Sequence, residues 1–156
     1  MYQHCESDSR HITLHDCHAE KINFEKGTLS FFFPDGFWVT QHHPLNHSGS
    51  IVLTSASQAD FQLIGGKLDG MEVSIFQKSP NGTAIREDWA PERFINSVNA
   101  GDFDIEFIAE YKGCQSFLFK CWVWFGKAPY HFECEIILHS ETVRYCWDEL
   151  RYGCVW

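Results

Sequence analysis

Hydrophobic and polar residues alternate with a period of two along most of this chain, the pattern of strands that bury one face. The stretch AEKINFEKGTLSFFFPDGFWVT divides into three such segments, over 18–26, 28–33 and 37–41, separated by turn residues at Lys26-Gly27 and Pro34-Asp35-Gly36. Alternation places Ile22, Phe24, Leu29, Phe31, Phe33, Phe37 and Val39 on one side, which predicts a three-stranded meander with that side in the core. After the polar loop HHPLNHSGS come shorter strands, expected at 51–54, 59–64, 71–78 and 83–87. GGKLDG reads as a hairpin connection, and SPNG as a hairpin whose Asn81-Gly82 pair suits a type I′ turn. The segment WAPERFINSVNAG breaks the alternation. Pro91 fits a first helical turn, Phe94, Ile95 and Val98 share one helical face, and Gly101 can end it, so one short helix is predicted near 91–98.

The last third reads as a second meander of four strands: DFDIEFIAEYK, QSFLFKCWVWF, YHFECEIILH and TVRYCWDEL. A four-residue loop at 126–129 pairs Phe125 with Tyr130 and sets Cys121 opposite Cys134; a two-residue loop at 140–141 would pair Leu138 with Val143. The inward set then includes Phe103, Ile105, Phe107, Phe117, Phe119, Val123, Ile136 and Leu138. About ten strands, one helix and no strand–helix–strand spacing give an all-β fold, mainly antiparallel, either a two-layer sandwich or a flattened barrel. No repeat or linker divides residues 1–156, so a single domain is expected.

Composition narrows the partners. Hydrophobic residues make up 44% of the chain, enough apolar surface to exclude disorder, and no segment has the length of a transmembrane helix. The absence of a signal-peptide pattern predicts a cytoplasmic location with reduced thiols, the default for seven scattered cysteines. A net charge of -9 argues against nucleic acid, whose affinity for proteins comes from Lys and Arg, and favours a basic protein partner or a small ligand; it leaves homo-oligomer formation open.

The densest chemistry lies in HITLHDCH, residues 11–18. Read as extended chain, it puts His15 and Cys17 on one face about 6.7 Å apart, at most two ligands for a metal such as zinc. His43 and His47 form a second candidate pair, expected at the opposite end of the sheet from the first, on the order of 20 Å away, unless the strand before His18 folds back. Cys17 has Asp16 and His18 beside it in sequence, but strand neighbours point to opposite faces, which argues against a nucleophilic cysteine. Cys121 and Cys134 read as core fillers.

The outward face of the second meander carries the more informative set: Asp104, Glu106, Trp122, Trp124, Glu133 and Glu135, with Lys120 among them. A three-residue loop at Gly113 would make rows of Asp104, Trp122 and Glu133, then Glu106, Lys120 and Glu135. Two adjacent outward indoles require a cover, which is the helix, the chain end RYGCVW, or another molecule. Three functions follow from these residues. The first is a non-catalytic interaction module, in the manner of an immunity protein or adaptor, that offers the acidic, Trp-bearing face to a basic partner. The second is a metal-binding module on the His and Cys clusters. The third is a glycan-acting hydrolase on Asp104 and Glu133, since carboxylates two strands apart stand roughly 9.6 Å from each other. No GxSxG, HExxH, EF-hand or dinucleotide motif is present.

Overall fold

The computed structural model describes residues 1–8 and 10–154. Among them are three antiparallel sheets and one α-helix, and no sheet closes into a barrel. The five-stranded sheet has the order β1 (His4–Glu6), β14 (Ser140–Trp147), β8 (Ser57–Leu63), β5 (Thr28–Phe33) and β4 (Lys21–Glu25). The six-stranded sheet has the order β10 (Ala84–Trp89), β9 (Met71–Lys78), β13 (His131–Leu138), β12 (Ser116–Trp124), β11 (Asp104–Gly113) and β3 (Cys17–Ala19). A small third sheet runs β15 (Leu150–Arg151), β7 (Val52–Thr54), β6 (Trp38–Val39) and β2 (Ile12–Thr13). Helix α1 spans Pro91–Asn99.

The two large sheets form a sandwich because their alternating apolar positions face each other. Phe31 and Phe61 of the five-stranded sheet meet Phe107, Phe117 and Phe119 of the six-stranded one edge-on, at centroid distances of 5.1–5.6 Å. Ile22, Leu29, Phe31, Phe33, Phe37 and Val39 are buried as their alternation predicts, and Phe24 packs on the core from its margin. Phe37 leads into the small sheet and packs on Tyr145 and Trp147, so that sheet adjoins the far end of β14.

Helix α1 buries Phe94, Ile95 and Val98 as expected and packs against β4 and β9. Its last turns are closed by Gly101, with φ +75°, whose N–H donates to the Val98 carbonyl at 2.9 Å, and by Asp102, whose N–H donates to the Ser97 carbonyl at 3.0 Å. The Asn99 amide then acts as a surrogate strand: its Oδ1 accepts from Ile22 N–H at 2.9 Å and its Nδ2 donates to the Ile22 carbonyl at 2.7 Å, closing the outer edge of β4.

The chain changes sheet more often than its alternation reveals. The first meander has only two strands, β4 and β5; the segment after Gly36 enters the small sheet. Residues 18–26 split at Glu20, with β3 in one large sheet and β4 in the other. The second meander likewise ends at β13, whose free edge takes β9, while β14 passes to the five-stranded sheet and pairs with β8 and β1. The expected Leu138–Val143 pairing is therefore absent. The Phe125–Tyr130 loop and the Cys121–Cys134 pair are present as predicted, the former as a 2.7 Å bond from Phe125 N–H to the Tyr130 carbonyl. GGKLDG is two short 3-10 turns that carry the chain from one large sheet to the other, not a hairpin. At SPNG a hairpin does form, but Asn81 has no positive φ; Pro80 fixes a type I turn and Gly82, at φ +85°, supplies the left-handed residue after it.

Candidate functional site

The outer face of the six-stranded sheet, turned away from the core, gathers the residues with most chemistry. One row crosses the whole sheet through paired positions: Arg86, Phe76, Glu133, Trp122, Glu106 and His18. The next row on one side holds Asp104, Trp124 and His131, and on the other Lys120 and Glu135. This corrects the expected register. A two-residue turn at Cys114-Gln115, with Gln115 at φ +56°, together with a one-residue shift at Ile108, moves Asp104 opposite Trp124 and Glu106 opposite Trp122. Asp104 and Glu133 accordingly lie in different rows.

Trp122 and Trp124 are half-buried, and both rings pack on His131 at 4.7 Å and on each other at 5.7 Å. Among the described residues, neither expected internal cover reaches them as a lid. The helix lies against β4 and β9, its end only adjoining Trp124, and Tyr152 of the described tail donates to the Leu45 carbonyl at 3.3 Å, beside the small sheet; Val155 and Trp156 lie outside the described residues. The indoles form instead part of an acidic network. Trp124 Nε1–H donates to Glu106 Oε2 at 2.6 Å, and His18 places Nδ1 2.6 Å from Asp104 Oδ2 and Nε2 3.8 Å from Glu106. Lys120 lies 4.0 Å from Glu135. The Glu133 carboxylate has no ion pair or hydrogen bond among the described residues; exposed, it stands between Phe76 and Trp122. A groove of about 300 Å³ opens there, bounded by Phe76, Ile108, Lys120, Trp122, Glu133 and Glu135.

The histidine clusters are arranged differently from expectation. Asp16, at φ +57°, turns the chain back, so His15 and Cys17 do not share one strand face. Cys17 is buried, its thiol pushed up to about 12 chiefly by that burial and donating to the His15 carbonyl at 3.5 Å, while His15 is exposed with Nδ1 2.8 Å from Asp16. The fold-back also brings the two clusters together: β2 pairs with β6, Thr40 N–H donates to the His11 carbonyl at 2.8 Å, and the His11 and His43 rings are 6.1 Å apart. His43 has both nitrogens engaged. Its Nδ1 accepts from Leu45 N–H at 3.1 Å, which places the proton on Nε2, 3.0 Å from Glu6 Oε1. His47 is exposed. Among the described residues no three His, Cys, Asp or Glu side chains form a group able to hold a metal ion.

The thiols depart from the expected uniform reduction. Cys5 and Cys146, directly opposed on β1 and β14, form a disulfide, whereas Cys121 and Cys134 are free and buried. Burial pushes both of those thiols well up, as suits apolar core fillers.

Strict alternation from Ile105 and Phe107 would turn Glu110 outward, and the structure does not. A β-bulge between Phe107 and Ala109 inserts Ile108 and reverses the parity beyond it, so Glu110 pairs with Phe119 and faces inward rather than outward. Tyr145 OH donates to its Oε1 at 3.3 Å and Lys112 Nζ lies 3.6 Å away, while burial raises the carboxyl above its ordinary range. Because the folded state holds this proton more tightly than the unfolded chain, stability should fall as pH rises from the ordinary carboxylate range through the raised value. Glu110→Gln lacks that fall. Urea unfolding of both proteins at acid and neutral pH is expected to show the variant gaining on the wild type toward neutral pH.

Comparison with protein-family models, curated proteins and solved structures gives no match. Among the described residues no helix is long and apolar enough to cross a membrane.

Proposed function

We propose that this chain is a non-catalytic interaction module, of the immunity-protein or adaptor kind, that docks a basic protein through the outer face of its six-stranded sheet. The observation that carries the reading is the unpaired Glu133 between Phe76 and Trp122, beside indoles that no described segment covers. Tryptophan supplies binding energy when a partner completes its burial, and an exposed carboxylate at its side selects for a cation. The other carboxylates of the face are held by His18, Trp124 and Lys120, so they contribute field and orientation while Glu133 is available for a new ion pair. The chain's net charge of -9 adds long-range attraction for such a partner.

The test uses a capped hexa-arginine peptide as a minimal basic probe, followed by two-dimensional NMR of the indole N–H and backbone amides. Shifts are expected to concentrate on residues 76, 122, 124 and 133, with affinity falling as salt rises. Trp122→Ala should weaken binding roughly 30-fold, the factor that corresponds to loss of a hot spot of about 2 kcal/mol, and Glu133→Gln should flatten the salt dependence. Shifts spread evenly over all acidic surfaces, or unchanged affinity in the Trp122→Ala, Glu133→Gln double variant, would overturn the proposal.

A further inference from the structure

A different part of the same sheet offers its backbone. Strand β3 pairs with β11 only at residues 105–107, so the remaining half of β11, residues 109–113, has β12 on one side and no strand on the other among the described residues. The other long edges are protected. Asn99 bonds to the backbone of β4, and β10 carries Arg86, Glu87 and Asp88 in succession. Where β3 stops covering β11, a cavity of about 350 Å³ opens against Thr13, Leu14, His15, Phe107, Glu110 and Phe119. Leu14, Phe107 and Phe119, themselves buried, lie beneath it, and Glu110 supplies its one carboxylate because the bulge at Ile108 turned that residue inward.

We infer that this edge binds an extended peptide by strand addition, with one Lys or Arg of the peptide reaching into the cavity and its charged tip on Glu110. A strand entering in line with β3 would satisfy the open peptide groups of residues 109–113 and send alternate side chains toward the cavity. A cavity that stands on apolar residues and ends in a carboxylate matches a side chain with a methylene stem and a cationic head. The cation now nearest Glu110 is Lys112, at 3.6 Å, and its side chain is 41% exposed, so it can swing into solvent as the guest arrives. The acidic chain favours a basic peptide over an acidic one. This site stands apart from the Trp122 face and does not depend on it.

A random seven-residue peptide library displayed on phage, selected on the full chain and in parallel on Glu110→Gln, tests the inference. The amide that replaces the carboxylate in Glu110→Gln retains an acceptor for Tyr145, and a single cooperative urea transition of the variant at neutral pH verifies its fold. Enriched peptides are expected to hold one Lys or Arg between β-branched or aromatic residues at alternate positions. The corresponding synthetic peptide should bind wild type at least about tenfold more tightly than Glu110→Gln, as loss of a charge-assisted bond predicts, and slow amide hydrogen exchange at residues 109–113. Failure to enrich any sequence, equal binding to both proteins, or protection that maps elsewhere and is lost in Trp122→Ala would each overturn it. So would sedimentation of the unliganded chain as a dimer whose residues 109–113 are already protected.

Discussion

Replacing Phe107 with alanine is expected to destabilise the fold by about 3–5 kcal/mol, the range for truncating a buried aromatic that leaves a cavity. Phe107 is 1% exposed and its ring meets Phe31 at 5.6 Å, Phe33 at 5.5 Å and Phe119 at 5.1 Å, so it joins both large sheets. Those neighbours sit on strands with their own ladders and cannot collapse far into the space left behind. Phe107 also precedes the bulge at Ile108 and receives, on its carbonyl, the Asp16 N–H at 2.8 Å that anchors the start of β3. The backbone bond survives the substitution while the packing does not, so the loss should appear as a lower urea midpoint with an unchanged slope. Phe107→Leu, which retains most of the volume, should cost under half as much. Equal losses for the two would show that the ring geometry, and not cavity formation, sets the stability here.

The parity of side chains was legible in the sequence wherever a strand is regular. Leu29, Phe31 and Phe33 are buried because every second residue of β5 meets the opposing sheet, and Phe117, Phe119, Cys121 and Val123 follow the same rule on β12. The helix was legible for a similar reason, since Pro91, the Phe94-Ile95-Val98 stripe and Gly101 act locally. Sheet membership was not. The edge beside β13 could be filled by β14, its neighbour in sequence, or by β9, and alternation favours both equally; the outcome depends on long-range packing of Tyr145 and Trp147 against Phe37. Parity failed at one residue for a comparable reason. Ile108 is apolar on a face read as polar, and such a residue can mark a bulge as readily as a lone surface hydrophobe. That single insertion moved Glu110 from the acidic outer face to a cavity on the inner side. The six residues proposed as a docking face still lie together, because they precede the bulge or sit on β12 and β13, where pairing is continuous; only their rows changed.

The disulfide between Cys5 and Cys146 gives the second large expectation: Cys5→Ser should lower stability under oxidising conditions by about 2–4 kcal/mol. The bond closes a loop with a sequence separation of 141, nearly the whole chain, so it removes much of the freedom of the unfolded state. Its native neighbourhood is slight by comparison. Strand β1 has three residues, paired only with positions 145–147, and beyond them Gln3 N–H reaches Asp148 Oδ1 at 2.9 Å. Without the crosslink, those bonds, the Glu6–His43 pair and the His4 ring on Trp147 must hold the strand against its conformational entropy. Chemical denaturation with and without reductant checks this directly: reductant should bring the wild type to the level of Cys5→Ser and leave the variant where it is. Cys17, Cys121 and Cys134 are buried with raised thiols, so they do not supply the effect, and Cys114→Ser serves as the exposed-thiol control. A wild type indifferent to reductant would show that the bond contributes no stability. Because β1 and β14 belong to the sheet opposite Trp122 and Glu133, Cys5→Ser should still bind hexa-arginine under conditions where it remains folded, which separates the clasp from the docking face.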